Sequence, residues 1–353
     1  MKASPLPLLL MAGAIHPVGT GPSMPSLSDV GALLRSAKTV VLTTHVNPDG
    51  DGIGAQIALC AGLRRLGIKV LVCNPSAGPR RLRFLENRLP LLPQAELPKV
   101  LTEADLVVML DANEWSRTTV IEPLLDASTV PRLIIDHHPL VTTAVGVALV
   151  VPTAASTGSL VHELLTTMGV ATDLEIAQGV YVSIVSDTGN FRFSNTTPDV
   201  HLAAAEFLRL GLRGHELYDR LHNDRTPQKL RLLGECLQAV QYHLEGQLVI
   251  IPITIEARKR LGVRPEELHD FVDEIRLLEE GEVFASASEL PDGRIRFSVR
   301  SRDRVDVSAL CRAFGGGGHV KASGAIIEGT MQQAIEAFVT SASTVLPLPP
   351  QSP

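Results

Sequence analysis

Ile134-Ile135-Asp136-His137-His138 is the stretch that decides how this chain reads. Two branched apolar residues mark the end of a buried strand, and an acid with two imidazoles follows with no spacer. A strand end is rigid and holds polar side chains at a fixed angle. Short motifs also arise by chance, and the plainer reading is a strand running into a polar loop. Three further acidic groups in similar positions shift the balance: His45-Val46-Asn47-Pro48-Asp49-Gly50-Asp51, Asp111 and Ser186-Asp187-Thr188-Gly189.

Outward from that stretch the chain alternates between short branched runs and helical patterns. Strands are expected at Val40–Thr44, Lys69–Cys73, Asp105–Leu110, Arg132–Ile135 and Ala148–Val151. A helix beginning after Asp51 carries Ile53, Ile57, Cys60, Ala61 and Leu66 near helical spacing. Such alternation implies an α/β fold with a parallel sheet covered on both faces. In these sheets the working crevice lies beyond the carboxyl ends of the strands. His45, Asp49, Asp51, Asp111, Asp136, His137 and His138 all fall there in the sequence.

A more helical region comes next, with helices expected at Thr157–Met168, Thr172–Ser186 and Pro198–Leu210, and a connecting helix at Thr226–Tyr242. From Leu248 the pattern becomes mixed α/β. It comprises a strand to Ile253, helices at Glu256–Leu261 and Pro265–Leu278, and a hairpin of Val283–Leu290 with Arg294–Arg300 across Pro291-Asp292-Gly293. A helix at Val307–Phe314 then runs into Gly315-Gly316-Gly317-Gly318-His319. The expected organisation is an extension at 1–25, a catalytic domain at 26–225, a linker helix at 226–245, a smaller mixed α/β domain at 246–345 with a cleft between the two domains, and a tail at 346–353.

The chain has 353 residues, of which 45% are hydrophobic and only 4% aromatic, so its core is built from aliphatic side chains. A formal net charge of -6 argues against gripping long nucleic acid by bulk charge, while a local basic site for a small anion stays open. Cys60, Cys73, Cys236 and Cys311 are far apart and form no Cys-x-x-Cys pair, which implies buried thiols in a reducing, cytoplasmic setting. Lys2 and the apolar run Leu6–Ala14, interrupted at Pro7, make a poor signal peptide. No apolar run is long enough to span a bilayer, so no membrane partner is expected.

Carboxylates and imidazoles in this mixture suit Mn²⁺, Mg²⁺, Zn²⁺ or Fe²⁺. Carboxylates packed this densely would raise one another's pKa, a cost that divalent cations remove. Two such ions together clamp the attacking and leaving oxygens of a phosphoryl transfer. Each residue also has a plainer role: Asp49 and Asp51 as turn formers, Asp111 and Asp187 as caps, His45 as a core histidine. The glycine run is open to reading as a linker or as a backbone cradle for an anion. It is not a Walker loop, because no Gly-Lys-Ser/Thr follows at the needed spacing.

Asp136-His137-His138, the Asp49/Asp51 loop, Asp111 and Asp187 resemble the DHH phosphoesterase superfamily. Arg300-Ser301-Arg302 followed by Gly315–Gly318 and His319 resembles its DHH-associated C-terminal domain. The compact length is similar to the oligoribonuclease (nanoRNase) and phosphoadenosine phosphate (pAp) phosphatase group, and the larger RecJ exonucleases share the motifs. The resemblance implies two Mn²⁺ ions, with Mg²⁺ or another divalent ion as a substitute. His45, Asp49 and Asp111 would hold the first; Asp51, Asp111, His137 and Asp187 the second. It further implies His138 at the scissile phosphate and Asp136 orienting a histidine. Arg300, Arg302, Gly316, Gly317, Gly318 and His319 would bind substrate. The expected partners are short RNA or DNA oligonucleotides, dinucleotides and pAp, with a homodimer as a compatible assembly. The alternatives are a phosphodiesterase for linear or cyclic dinucleotide signals, an exopolyphosphatase, and a non-catalytic nucleotide sensor.

Overall fold

The structure, a computed structural model, describes residues 25–139, 145–223, 225–268 and 270–346. The expected N-terminal extension and C-terminal tail lie almost wholly outside these residues. Two compact units emerge. The first comprises the chain to Gly78 and Leu85–Leu212; the second comprises Pro79–Phe84 and the chain from Arg213.

The first unit is organised by five parallel strands: β1 (Thr39–Thr43), β2 (Lys69–Val72), β3 (Leu106–Leu110), β4 (Arg132–Asp136) and β5 (Val147–Val150). All five match strands expected from the sequence to within a residue or two. Their order is β2-β1-β3-β4-β5, so the winding direction reverses between β1 and β3. The central strands are buried along their length, because helices cover both faces of a parallel sheet. One face packs Val41, Val107, Met109 and Ile134 against Leu97, Leu101, Trp115 and Leu125.

Three helices position polar residues of this unit: Gly50–Arg65, Thr157–Thr167 and Leu174–Asp187. Each starts on a side-chain cap, Asp49, Ser156 and Asp173 respectively, which supplies an acceptor to otherwise orphaned amides. The first and third cross in backbone contact, which glycines make possible. A Cβ on Gly179 would stand 2.6 Å from the Gly54 carbonyl oxygen and 2.8 Å from the Ala58 amide nitrogen. Neither neighbour can swing aside. Gly179→Val is therefore expected to destabilise by about 3 kcal/mol or more, lowering the melting temperature by roughly 6–12 °C. Gly234→Ala, on an exposed helix position with nothing near the new methyl group, should instead stabilise by about 0.5–1 kcal/mol. Thermal melts of the two variants check both signs.

The second unit is built on a mixed six-stranded sheet. Its strands are β6 (Gln241–His243), β7 (Leu248–Ile253), β8 (Val283–Glu289), β9 (Ile295–Ser301), β10 (Gly317–Gly318) and β11 (Ala322–Ile327), in the order β10-β11-β9-β8-β7-β6. Only β7 and β8 run parallel. One sheet face buries Leu248, Ile250, Ala285, Phe297 and Val299 under Val307, Leu310 and Phe338. The other buries Val249, Ile251 and Phe284 under Leu232, Leu233, Cys236, Phe271 and Ile275. The helix read as a connection thus contributes to the core of this unit.

Two expected helices differ in extent. The Thr226–Tyr242 pattern forms a helix only over Pro227–Gln238. Leu244, Glu245 and Gly246, all at positive φ, turn the chain so that Gln241–His243 pairs with β7. The Pro265–Leu278 pattern gives a 3₁₀ turn at Pro265–Glu267 and a short helix at Phe271–Ile275. Glu267 bonds back to Arg264, and Asp270 accepts from the buried Lys229 ammonium at 3.0 Å, which separates the two pieces. The expected hairpin forms, with Leu290 donating to the Arg294 carbonyl at 2.8 Å. The four cysteines are buried and unpaired, and burial pushes the Cys73 and Cys236 thiols up to about 11. Among the described residues no helix is long and apolar enough to cross a membrane.

Candidate active site

The polar residues singled out in the first unit converge at the carboxyl edge of its sheet. His45 follows β1, Asp111 follows β3, and Asp136 ends β4 with His137 and His138 beyond it. β1 and β3 flank the point where the strand order reverses, the place where open α/β sheets leave a crevice. Asp49 and Asp51 arrive at the start of the Gly50–Arg65 helix, and Asp187 at the end of the Leu174–Asp187 helix.

Asp111 is the centre of the group. It is buried, and its φ of 63° turns the chain sharply at the strand end. One carboxylate oxygen lies 3.4 Å from His45 Nε2; the other is 3.8 Å from His138 Nδ1 and accepts from Thr157 Oγ1 at 3.2 Å. Donor atoms of His45, Asp49 and Asp111 lie within 4.8 Å of one another, as do those of Asp51, Asp111 and His137. Asp111 is common to both groups. Asp187 joins through His137, whose Nε2 stands 2.8 Å from it and 3.4 Å from Asp51.

Asp49 caps its helix by accepting from the Asp51 and Gly52 amides at 2.9 and 3.3 Å. Asp51 turns inward instead. It accepts from the amides of Thr157 and Gly158, at 2.8 and 3.0 Å, and from the Ser183 hydroxyl. A helix N-terminus thus faces a fully buried carboxylate, a favourable match of dipole and charge. Thr157, Gly158 and Ser183 escape sequence reading. Ser156-Thr157 signals a helix start, but nothing in its spacing shows that the helix points at Asp51.

The electrostatics show that the group lacks positive charge. Burial and the negative charges of Asp51, Asp49, Asp187 and Asp136 raise the Asp111 carboxyl well above the usual range. Burial and Asp51 raise Asp187 to about 7, against the pull of His137. Burial opposes a charge on His137, yet the bond to Asp187 and the charge of Asp51 push it up to about 10. These carboxylates therefore take up protons or gather a cation.

The donor set fits a divalent cation. It consists of nitrogen and oxygen alone, the composition that suits Mn²⁺, Mg²⁺ or Zn²⁺. His45 Nδ1 faces the Val46 carbonyl at 2.9 Å, and His137 Nδ1 faces the Ala154 carbonyl at 3.1 Å. A proton on Nδ1 satisfies each carbonyl and leaves the Nε2 lone pair directed into the group, the arrangement typical of ligating imidazoles. Two buried oxygens, Thr44 Oγ1 and Asp136 Oδ2, have no hydrogen-bond partner among the described residues. Asp136 accepts from His138 Nδ1 at 2.7 Å through its other oxygen. Burial works against the Asp136 charge, but the bond and charge of His138 outweigh it and hold the carboxyl below its usual range.

The expected substrate residues lie in the second unit, and several have structural work there. The Arg302 guanidinium donates to the carbonyls of Arg276, Leu278 and Glu279 and lies over the Phe284 ring. Arg300 faces Asp273 at 3.4 Å. The glycine run is neither linker nor open loop. Its end pairs with β11, and a Cβ on Gly316 would stand 2.1 Å from the Gly324 carbonyl oxygen. His319 closes the β10–β11 turn, donating its amide to the Ala322 carbonyl at 2.8 Å.

A parallel sheet with aspartates and paired histidines along its carboxyl edge, followed by a mixed-sheet unit, defines a class. The description "DHH family, N-terminal domain" matches residues 39–184, and "DHHA1 domain" matches 247–346. The chain belongs to the DHH family. Within it, the chain is 37% identical over 300 residues to the bifunctional oligoribonuclease and PAP phosphatase NrnA of Thermus thermophilus, covering 84% of this chain and 87% of that protein. The protein of the same description from Bacillus subtilis is 27% identical over 292 residues, 82% of this chain and 89% of its own length. The crystal structure of an exopolyphosphatase-related protein from Bacteroides fragilis superposes with a TM-score of 0.83 at 25% identity, over 90% of this chain and 95% of that one.

Proposed function

We propose that this protein is a metal-dependent phosphoesterase that hydrolyses short oligonucleotides to mononucleotides and removes the phosphate of pAp. The observation that carries the reading is the pair of overlapping donor groups sharing Asp111. The names of the Thermus and Bacillus relatives supply the substrate class. His45, Asp49 and Asp111 would hold one divalent ion, and Asp51, Asp111, His137 and Asp187 a second, with Mn²⁺ the favoured metal. Ions bound there polarise a phosphoryl oxygen and lower the pKa of a water molecule.

The chain's own residues do the rest. Asp136 orients the His138 ring through Nδ1 and sets a negative charge beside it, so His138 can give a proton to the leaving sugar oxygen. The Thr157 and Gly158 amides hold the Asp51 carboxylate in place. In the second unit, Arg300, Arg302, Gly316, Gly317, Gly318 and His319 remain the proposed substrate contacts, with Arg302 and Gly316 also holding the local scaffold. Free buried thiols suit a cytoplasmic enzyme.

Product analysis on end-labelled substrates with Mn²⁺ tests the reading. Dinucleotides, five-residue and thirty-residue oligomers, pAp and polyphosphate form the panel. A net charge of -6 gives no long-range steering toward polymers. The rate per end should therefore fall once the oligomer exceeds a few nucleotides. Equal rates on two-residue and thirty-residue strands would point to an exonuclease for long strands, and cleavage of polyphosphate alone to an exopolyphosphatase.

A further inference from the structure

The turn that follows Asp187 is built under constraint. Gly189, Asn190 and Phe191 have φ of 55°, 58° and 64°, three left-handed residues in succession. Bulky side chains adopt this region only where the surroundings enforce it, and such segments concentrate at functional sites. Thr188 does the enforcing. Its carbonyl accepts from the amides of Arg192 and Phe193 at 2.9 and 3.0 Å, and its hydroxyl accepts from the Phe191 amide at 3.0 Å. The same hydroxyl donates to the Ile184 carbonyl at 2.6 Å, so the turn is tied to the last helical turn before Asp187.

The residue delivered by this turn is Arg192. Its Nε donates to the Gly189 carbonyl at 2.7 Å, and its guanidinium carbon lies 5.9 Å from the centre of the Phe193 ring. The side chain is exposed, and among the described residues no carboxylate pairs with it. A guanidinium held at Nε loses little freedom when its two amino groups meet a phosphate as a fork. Resting on the function proposed above, we propose that Arg192 binds the phosphate of the substrate that is not cleaved. It would thereby select nucleotides that carry a second phosphate, such as a nucleoside bisphosphate or a 5′-phosphorylated dinucleotide. A purely structural Arg192, balancing the negative end of its helix, would treat all substrates alike.

The test compares a dinucleotide with and without its 5′-phosphate, for wild type, Arg192→Gln and Arg192→Lys, with melting temperatures recorded. The ratio of the two kcat/KM values should fall roughly 10- to 100-fold in Arg192→Gln, the range of one charge-assisted hydrogen bond, and recover in part in Arg192→Lys. Calorimetric titration before any metal is added should show adenosine 3′,5′-bisphosphate binding wild type more tightly than adenosine 3′-monophosphate, which lacks only the 5′-phosphate, by a similar factor, and that preference should vanish in Arg192→Gln. An unchanged ratio in both assays overturns the assignment, whether the two rates stay as they were or fall together. If wild type cleaves no phosphoester, the proposed function fails, and the titration still decides the role of Arg192.

Discussion

Asp111→Asn yields a folded protein whose kcat on a dinucleotide falls by more than about 10³-fold, beyond the roughly 10²–10³ of a single lost polar contact. Asn is the substitution to use because it tolerates the left-handed backbone found here, which Ala would strain. An amide is nearly the same shape as a carboxylate but carries no charge. It would weaken both donor groups at once, since Asp111 is the member they share. The metal-free variant should nevertheless melt no lower than metal-free wild type, because four neighbouring carboxylates burden Asp111. Mn²⁺ should raise the melting temperature of wild type through mass action, and that rise should largely disappear in the variant. Counting bound Mn²⁺ completes the measurement. Near-normal turnover by a folded Asp111→Asn protein would sink the shared-ligand arrangement.

Much of the first unit can be read from the sequence for a simple reason. Parallel strands buried on both faces are short, continuous runs of branched residues, as in Val40–Leu42, Leu106–Leu110 and Leu133–Ile135. Each run ends on or close to a polar residue, so linear order alone places His45, Asp111 and Asp136 at one edge of the sheet. What linear order cannot carry is the direction of a helix axis. The amides of Thr157 and Gly158 meet Asp51 across 106 and 107 residues, and Ser183 meets it across 132. The second unit is less legible because its strands pair mostly antiparallel and some are very short. Gln241–His243 has no apolar pattern and is a strand only because a left-handed turn returns it to β7. Arg302 has the charge of a phosphate ligand, but its position beneath the 276–279 carbonyls belongs to the tertiary fold.

The second large effect falls on His138, and it depends on the leaving group. If His138 protonates the departing sugar oxygen, its loss should cost about 10²–10⁴-fold on a dinucleotide, whose alkoxide leaves poorly without a proton. A nitrophenyl phosphodiester releases a stable phenolate that needs no proton, so His138→Gln should lose far less on that substrate. Asp136→Asn should show the same pattern more weakly. Its amide could still meet the ring but would no longer set a negative charge against Nδ1 through the 2.7 Å contact. The comparison separates proton donation from other roles because both substrates present the same phosphodiester to the same carboxylate group. kcat/KM for each variant on both esters, with bound Mn²⁺ counted, is the measurement. Equal losses on the two substrates with the metal retained would mean that His138 positions the phosphate rather than the proton. Equal losses with the metal gone would place His138 among the ligands, a role its 3.8 Å separation from Asp111 leaves within reach.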